Sequence, residues 1–593
     1  MTIVAGAFSR HAGDPLPVSL CNALRTHLSR NPNEQTEEFR DGRCFMVKVD
    51  IGAYREPALR VDANAVSFLV GEPLLDQAGK AAKPRSSDLI ELHDDFVNGE
   101  TGALRRARGI FAAAHYDRQS GRLRLATDKL GLRPMYYFVG DRYIIFASAL
   151  RILEHVREVP KQMDVRGVTE LYALEYPLAD RTPFAAVKLM KGGEVLDVND
   201  VQSNVSFYWH WDDIKESGKP LEELTKECHA EFMTAVKLRN GADGSTASFL
   251  SGGLDSRSIV MALVQLGLRV HTFNFSIAET QDQALGAEFA RRVGTIHHER
   301  PRQHGRQVSA MMAETWTELI DANPKLAERP QIVWSGGGGS VALGHIYLTR
   351  AMVQLARNGD IDGALELYSQ ACASAVPTRL LKSDLRDELQ RVANEGMARE
   401  LEDLANVADP GRRLYLFLML NDQRRRTAEH FEEIDLGRLE YHLPFFDSEF
   451  VVSVLRVPID ACLEHHFYMK WLALFPDVAL SVAWQAYPGH EPCPLPIQGD
   501  LTSQWEDAEK KRVRKSQRSN LLSQAKKLLR TSDFPDPILK KESLLLATVI
   551  FRLGLRDVGH VIKAASVYHR YWSQCDGSYM LPTVTRRADA TVQ

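Results

Sequence analysis

The residues with the clearest chemistry form a glycine turn between a short apolar strand and a helix. Residues 246–256 read Thr-Ala-Ser-Phe-Leu-Ser-Gly-Gly-Leu-Asp-Ser. Glycines at such a turn let backbone N–H groups converge on an anion, and the start of the helix adds partial positive charge. Ser251 and Ser256 can donate further hydrogen bonds, whereas Asp255 would repel a phosphate and is predicted to hold the magnesium of a nucleotide. The alternative is an ordinary glycine-rich turn.

A second glycine loop, Ser-Gly-Gly-Gly-Gly-Ser at residues 335–340, follows the short apolar run Ile332–Trp334. It too precedes a stretch of helical character. Two glycine loops at strand ends of one sheet would hold the two sides of one nucleotide. A flexible linker has the same composition, but a linker at this point would interrupt a hydrophobic core.

Apolar residues around the first loop predict alternating helices and strands. One helix is predicted from the spacing of Ile259, Leu263 and Leu266 and ends at Gly267. A second is predicted from the spacing of Leu285, Phe289 and Val293 and ends at Gly294. Runs of β type occupy residues 270–275 and 295–298. This order predicts a doubly wound parallel sheet, and such sheets bind ligands beyond the carboxyl ends of their strands, where the first loop lies.

Length and composition limit the class of protein. A chain of 593 residues predicts about two or three domains. A net charge of −4 gives no basic signature for nucleic acid, and no apolar stretch reaches the roughly 20 residues that span a bilayer. The seven cysteines are scattered without CxxC spacing, and the N-terminus lacks the features of a signal peptide. We therefore expect a cytoplasmic protein with no zinc site, no nucleic-acid partner and no membrane span. The adjacent His297 and His298 are interpreted as strand-end residues, because neighbours on a strand point to opposite faces.

The two ends of the chain differ from its centre in their predicted secondary structure and in their charge. Short strands joined by tight turns are predicted at residues 109–117, 123–128, 135–138 and 143–148, which indicates an antiparallel α+β layer. A polar segment at residues 197–204 marks a boundary. From about Glu506 the chain turns basic, with the run 510–515 as a solvated helix face or, alternatively, a contact for an acidic peptide or partner.

Several motifs in the same order resemble asparagine synthetase B and its relatives, which belong to the ATP pyrophosphatases. The synthetase is matched by the first loop, by residues 293–299 and 443–447, and by Ser335 and Gly336. The class II glutamine amidotransferase domain is matched by residues 109–112, 128–137 and 146–148. The resemblance implies an α+β layered N-terminal domain of the Ntn-hydrolase type at residues 1–205. It further implies an α/β doubly wound ATP pyrophosphatase domain with a helical C-terminal part at 206–500. Residues 501–593 are expected to form a helical, partly basic extension.

The resemblance also implies which residues bind and react. ATP and Mg²⁺ are the expected cofactors, with Asp255 as the metal ligand and as a residue essential for catalysis. The ATP site is expected at Leu250, Ser251, Gly252, Gly253, Leu254, Asp255, Ser256, Phe275, Ser335, Gly336 and Gly337. On the acceptor side, Glu440 matches the glutamate that positions or deprotonates the attacking nitrogen, and Tyr441 is its candidate partner by adjacency.

The chain departs from the family in the residues that hydrolyse glutamine. The amidotransferase requires an N-terminal cysteine as its nucleophile, and Thr2 stands at that position. The Asn-Gly-Glu stretch of the glutamine pocket reads Val70-Gly71-Glu72, so an apolar side chain replaces an amide. Both changes indicate an inactive glutaminase, and the substrate must then bring its own amine.

The second loop and the acceptor side depart as well. Acidic residues of the family are replaced by Gly337, Gly339 and Ser340, so one magnesium ligand is missing. Asp282 is a possible substitute, although a capping role for it is favoured. The family's later lysine is not evident in the matching stretch, residues 484–490, and Arg438 or Lys470 are candidate substitutes.

These features favour an ATP-dependent amide ligase that adenylates a carboxylate and joins it to the substrate's own amine. Relatives without the glutaminase cysteine include β-lactam synthetases and the cyclases that close the macrolactam ring of lasso peptides. The length, the basic extension and the altered second loop favour the cyclase, whose partners would be a precursor core peptide and a leader peptidase or precursor-recognition protein. The alternatives are β-lactam formation, amidation of a small molecule or polysaccharide, and a non-catalytic ATP-binding scaffold.

Overall fold

The computed structural model describes residues 2–54, 56–75, 83–240, 244–300, 302, 308–322, 332–497, 501–503 and 507–582. The chain divides into two compact units. The first is drawn from Met1–Glu158, Met190–Ala364 and Leu401–Lys511, and the second from Val159–Leu189, Leu365–Glu400 and Arg512–Gln593. The sequence-based bounds at residues 205 and 500 stay a prediction.

The N-terminal part of the first unit is built on antiparallel sheets. One sheet has the strand order Tyr136–Val139, Tyr143–Ala147, Thr2–Ser9, Cys44–Asp50 and Thr36–Arg40. The other has the order Ser203–Phe207, Glu194–Val198, Arg122–Thr127, Ile110–Asp117, Ala65–Glu72 and Leu59–Val61. Side chains of both sheets, such as Phe8 and Phe68, meet in one apolar core. Leu89 and Leu92 of the helix Arg85–Val97 cover the second sheet from outside. The predicted α+β layers are therefore confirmed.

A parallel sheet forms the centre of the first unit. Its strands lie in the order Ile296–Glu299, Arg269–Asn274, Ser245–Phe249, Ile332–Trp334 and Glu440–His442. Phe249 pairs with Phe273 on one side of the central strand, and Ser248 pairs with Trp334 on the other. The strand order reverses at this central strand. The first glycine loop leaves the central strand and the second leaves its neighbour Ile332–Trp334, at the point where such sheets bind ligands. The predicted doubly wound parallel sheet is confirmed.

Helices make up most of the remaining described residues. In the first unit they are Val18–His27, Arg85–Val97, Gly102–Arg106, Leu150–Leu153, Leu221–Arg239, Leu254–Gln265, Gln281–Val293, Val308–Ala322, Gly339–Ala342, Arg350–Arg357, Pro410–Phe417, Arg424–Glu432, Ile434–Gly437, Ser448–Leu455, Ile459–Cys462 and His466–Leu472. The second unit contains Val165–Leu174, Lys541–Leu553, Gly559–Gln574 and the parallel strand pair Met163–Asp164 and Tyr579–Met580. Ile361–Cys372, Arg386–Glu402 and Asp507–Arg530 contain residues of both units.

Two sequence-based expectations concern the basic run near the C-terminus and the absence of a membrane span. The basic run 510–515 lies in the helix Asp507–Arg530, but its side chains lie outside the described residues. Among the residues that the structure describes, no helix is both long enough and apolar enough to cross a bilayer.

A tight turn of the N-terminal part reaches the last strand of the parallel sheet. The buried Asp128 carboxylate accepts the backbone N–H groups of Leu130, Leu132 and Arg133 at 3.0, 3.2 and 3.1 Å. The turn presents Arg133, whose guanidinium donates to both oxygens of Glu440 at 3.1 and 2.9 Å. Each of these two side chains is only 1% exposed. A motif of the N-terminal part thus supplies the counter-ion of a strand in the central sheet.

Asp447 forms a second buried charge cluster a few residues further on. It caps the helix Ser448–Leu455 and accepts 2.8 Å hydrogen bonds from Arg108 and from Arg239. Burial of Asp447 opposes its charged form, but Arg239 and Arg108 outweigh burial and hold the pKa of this carboxyl below its ordinary value. A buried pair is weak evidence for stability by itself, but removal of one partner leaves an uncompensated charge.

We predict that Asp447→Asn lowers the free energy of unfolding by about 3–5 kcal/mol, because two arginines lose their buried counter-ion. Chemical denaturation measures this difference. Glu38→Gln, which breaks the surface pair with Arg25, is the control and should cost less than about 1 kcal/mol.

The same variant has a predicted pH dependence. Because the pKa of Asp447 is lowered by folding, its contribution is complete above the unfolded value and is lost as the pH falls through the folded value. The stability difference between wild type and Asp447→Asn should therefore be constant near neutrality and shrink below about pH 4. A difference that grows on acidification would contradict this assignment.

Candidate functional site

The first glycine loop leaves the strand Ser245–Phe249 and enters the helix Leu254–Gln265, as predicted. The backbone N–H of Ser251 donates to the Ser256 hydroxyl at 3.0 Å, and the two hydroxyl oxygens are also 3.0 Å apart. The Gly253 N–H donates to the Ser251 hydroxyl at 3.3 Å. These bonds hold both hydroxyls at the start of the helix, where the helix dipole favours an anion.

Asp282 contacts this loop and does not cap its own helix. The helix Gln281–Val293 is capped by Thr280, whose hydroxyl accepts the Gln283 N–H. Asp282 instead accepts the Gly252 N–H at 3.1 Å. The expected capping role is therefore wrong, because Asp282 lies inside the first turn with its carboxylate aimed at the glycine loop. A Cβ on Gly252 would lie 2.8 Å from the Gln281 carbonyl oxygen, so this approach requires glycine.

The second glycine loop packs directly against the first. A Cβ on Gly336 would lie 2.6 Å from the Ser256 backbone nitrogen, and one on Gly339 would lie 2.7 Å from the Asp255 carboxyl carbon. The loop begins at Ser335, whose N–H donates to the His442 carbonyl oxygen at 3.1 Å. The linker interpretation is therefore wrong, since these glycines permit contact between two loops of one sheet.

Asp255 lies at the junction of the two loops. One carboxylate oxygen accepts the Ser340 N–H at 2.9 Å and also the Ser340 hydroxyl, and the other accepts the Tyr468 hydroxyl at 2.7 Å. Burial raises the pKa of Asp255, and these hydrogen bonds act in the opposite direction. Ser340 stands at one of the positions where the family resemblance expects an acid, so a neutral donor now neighbours the Asp255 carboxylate.

The donor set fits a magnesium ion that arrives with a nucleotide. Mg²⁺ keeps several waters and commonly takes one or two carboxylates together with substrate phosphates. Asp255 supplies one carboxylate, and the Ser340 hydroxyl lies against it. Within the described ranges, no group of three or more His, Cys, Asp or Glu side chains is placed to hold a metal. Asp255 therefore suits an ion that arrives with the phosphates of a nucleotide.

Glu440 is not placed as a free base. Both of its oxygens accept from Arg133, and one also accepts the Tyr441 N–H at 3.3 Å. Both oxygens are thus already engaged by a buried guanidinium. Tyr441 is half-buried, with ring centroids 6.2 Å from Phe249 and 5.6 Å from His430. Glu440 therefore pairs with Arg133, and the assignment of Tyr441 as a partner of Glu440 in catalysis stays a prediction.

The candidate substitutes for the late lysine lie elsewhere. Arg438 pairs with Glu34, and Lys470 is exposed on the helix His466–Leu472. The stretch 484–490 does reach the site, because the Gln485 N–H donates to the Gly252 carbonyl oxygen at 3.0 Å. The buried Arg257 guanidinium holds the preceding chain by donating to the carbonyl oxygens of Ala479, Val482 and Ala483.

The remaining expected ATP residues line the carboxyl end of the sheet. Phe275 follows the strand Arg269–Asn274 and packs in an apolar cluster with Phe273 and Val333. Leu250 is buried, and its N–H donates to the Phe273 carbonyl oxygen at 2.9 Å. Their assignment to ATP binding stays a prediction.

The altered glutamine pocket is apolar at the position of the missing amide. Val70 is buried in the core between the two antiparallel sheets. Glu72 follows at the end of the strand Ala65–Glu72, and burial raises its pKa to about 7. The backbone of Thr2 pairs with Asp50, while the Thr2 side chain lies outside the described residues. No amide side chain is therefore present at the Val70 position to hold a glutamine.

Sequence reasoning missed three residues of this site. Tyr468 lies 213 residues from its partner Asp255, and no local pattern marks it. Arg133 and Arg257 lie inside motifs that were recognised, at residues 128–137 and directly after the first loop. The available signal was the presence of an arginine, Arg133 or Arg257, within or directly after a recognised motif.

Comparison with known proteins agrees with the motifs. A family model described as a glutamine amidotransferase domain matches residues 86–209, and one described as asparagine synthase matches residues 227–314. The first match begins after Thr2 and Val70.

Similar curated proteins include asparagine synthetase [glutamine-hydrolyzing] 3 of Bacillus subtilis, 26% identical over 30% of this chain and 28% of its own length. A putative asparagine synthetase of Methanocaldococcus jannaschii is 26% identical over 30% of this chain and 36% of its own length. The chain thus spans about a third of the length of these relatives. A solved glutamine phosphoribosylpyrophosphate amidotransferase of B. subtilis aligns at 11% identity over 54% of this chain and 88% of its own, with a TM-score of 0.25, too low to support an argument.

We predict that Asp255→Asn weakens Mg²⁺-dependent ATP binding at least about tenfold, because the carboxylate that would hold the ion is lost while its size is kept. Calorimetric titration with and without Mg²⁺ measures the change. Tyr468→Phe is the matched control, since it removes one hydrogen bond to Asp255 and leaves the charge. Equal Mg²⁺ dependence in wild type and Asp255→Asn would assign the metal to other ligands.

Proposed function

Since the chain belongs to the asparagine synthetase B-like family, we propose that it is an ATP-dependent amide ligase. A substrate carboxylate attacks the α-phosphate of ATP, pyrophosphate leaves, and an amine then attacks the acyl adenylate to give an amide and AMP. The observation that carries this proposal is the contact of the two glycine loops at Asp255, at the reversal of the parallel sheet.

The loop residues have separate tasks in this reaction. Backbone N–H groups and the hydroxyls of Ser251 and Ser256 would bind phosphate oxygens at the start of the helix Leu254–Gln265. Asp255 would hold Mg²⁺, which supplies positive charge against the leaving pyrophosphate. To release Asp255 for the ion, the Ser340 and Tyr468 hydroxyls can reorient, since both belong to side chains and not to the fixed backbone.

The amine is proposed to come from the substrate and not from glutamine. Thr2 stands where the family has its nucleophile, and Val70 fills the position of the pocket amide. Ammonia released from glutamine would then have no source within this chain.

Within this class we propose macrolactam formation in a peptide, as in the cyclases of lasso peptides, with a precursor peptide as substrate and a precursor-processing protein as partner. Residues 501–593 beyond the synthetase-like part and the neutral second loop support a substrate larger than an amino acid. β-Lactam formation and small-molecule or polysaccharide amidation use the same adenylate chemistry and are the competing substrates.

A non-catalytic ATP-binding scaffold is the candidate of a different class. The observation that favours it is the pairing of Asp255 with Ser340 in place of a second acid. ATP–pyrophosphate exchange with candidate peptides separates the two. A ligase exchanges label only with a carboxylate substrate present, and a scaffold exchanges none under any condition.

We propose a positioning role for Glu440, which would hold the strand Glu440–His442 and with it Tyr441 through the pair with Arg133. Glu440→Gln should lower the unfolding free energy by about 3–5 kcal/mol and product formation with it. Replacement of the whole pair by apolar residues, Arg133→Met with Glu440→Leu, should restore stability and bring product formation to within about tenfold of wild type.

This pair of variants separates positioning from proton transfer. If the double variant is stable but forms product about 10²–10⁴-fold more slowly while exchange persists, Glu440 acts as a base after all. If the double variant stays unstable, the Arg133–Glu440 pair is not the origin of the defect.

We predict that glutamine is not hydrolysed. Incubation of the purified protein with glutamine should release no glutamate above the protein-free background, with or without ATP, because the pocket amide is replaced by Val70. An enzyme-coupled glutamate assay measures this. Steady release of glutamate would indicate that Thr2 acts as an N-terminal nucleophile. Thr2→Ala would then be expected to abolish that release.

A further inference from the structure

An apolar stripe lies on the outward face of the helix Lys541–Leu553 in the second unit. Its members Leu545, Leu546, Val549 and Leu553 are 54%, 62%, 45% and 66% exposed, and Leu555 just beyond the helix is 74% exposed. The opposite face of the helix is already buried through Leu544, Ala547, Thr548 and Phe551. The exposed stripe therefore adds nothing to the core of the unit that carries it.

The spacing of these residues suits a second helix. Leu546, Val549 and Leu553 recur at i, i+3 and i+7, the pattern by which one helix packs along another. The helix of 13 residues offers a stripe about 20 Å long. Single exposed leucines are ordinary on protein surfaces, but a contiguous row of them marks an interaction site.

The C-terminal segment that contains the stripe has a positive net charge. Arg552 and Arg556 are exposed at its C-terminal end, and within the described part of the chain neither forms an ion pair. Residues 518–582 contain ten Lys or Arg and five Asp or Glu, a net charge of +5, whereas the whole chain carries −4. Charge is thus segregated into the region that presents the stripe.

We propose that this stripe docks an acidic amphipathic helix of a polypeptide partner. Leucine-type side chains of the partner would pack on Leu546, Val549 and Leu553, and its flanking carboxylates would face Arg552 and Arg556. A second copy of this chain fits less well, because pairing of two such surfaces brings like charges together. The stripe is only as wide as one helix face. This width suits contact with a single partner helix better than contact with a bilayer surface.

The expected interaction is weak and reversible. A stripe on one helix offers less than the roughly 800 Å² per partner of a standard interface, so affinity on the order of micromolar is expected. This inference concerns a helix of the second unit and does not rest on the proposed ligase activity.

The test uses the full-length protein and a synthetic, capped, fluorescein-labelled helical peptide with Leu at i, i+3 and i+7 and Glu at the flanking positions. A second peptide carries Lys in place of Glu. We expect fluorescence anisotropy to show at least about tenfold tighter binding of the Glu peptide, with affinity that falls as salt rises.

Substitutions assign the binding to the stripe. Leu546→Ser with Leu553→Ser should weaken binding of the Glu peptide at least about tenfold, and Arg552→Glu with Arg556→Glu should reverse the preference between the two peptides. Val201→Ser, at a residue 85% exposed in the first unit, is the matched control and should leave binding unchanged. Since all of these side chains are exposed, thermal unfolding should not change.

Other outcomes overturn the proposal. Binding of the Glu peptide that is equal in wild type and the stripe variants places the contact elsewhere. A dimer in sedimentation velocity that is lost in Leu546→Ser with Leu553→Ser makes a second copy the occupant. Cosedimentation with vesicles of phosphatidylserine and phosphatidylcholine that depends on the same leucines makes the occupant a lipid surface.

Discussion

The structure of the first unit depends on buried charges that must be paired. Glu440 and Asp447 lie within eight residues of each other and are both withdrawn from water. Their partners Arg133 and Arg108 belong to the antiparallel N-terminal part, and Arg239 belongs to the helix that precedes the parallel sheet. A buried charge without a counter-ion costs several kcal/mol. The antiparallel N-terminal part and the parallel sheet therefore depend on each other for stability, because each supplies charges that the other must pair.

This constraint gives the N-terminal part a task that is independent of glutamine. The Asp128 turn shapes the chain through its own carboxylate and backbone N–H groups, and it presents Arg133 to the last strand of the parallel sheet. The Arg133–Glu440 contact is present in this chain together with Val70, which is buried in the core between the two antiparallel sheets. The N-terminal part therefore helps to position the strand Glu440–His442 whatever chemistry it carries itself.

The region around Asp255 follows a second constraint, the close approach of the two glycine loops. Gly336 and Gly339 leave no room for a side chain against Ser256 and Asp255. The approach brings the Ser340 hydroxyl onto the Asp255 carboxylate, where an acid would add repulsion. With Ser340 at a position where the family resemblance expects an acid, the junction of the two loops carries less negative charge.

Local physical chemistry allowed the sequence by itself to determine the strand and the helix that flank the first loop. Helical spacing, glycine stops and β runs depend only on neighbouring residues, so the strands and helices around Ser251–Gly253 and the parallel sheet could be predicted. The two glycine loops were also assigned to one site, because parallel strands end at the same edge of a sheet.

Only the tertiary structure decided which charged or hydroxyl side chain meets which. Arg133 lies 307 residues from Glu440, and Tyr468 lies 213 residues from Asp255. Any arginine can pair with any glutamate, so sequence pattern cannot select the partner, whereas packing selects it by distance and burial. For the same reason the motif around Glu440 suggested a base, and only the structure showed that both of its oxygens pair with the buried Arg133.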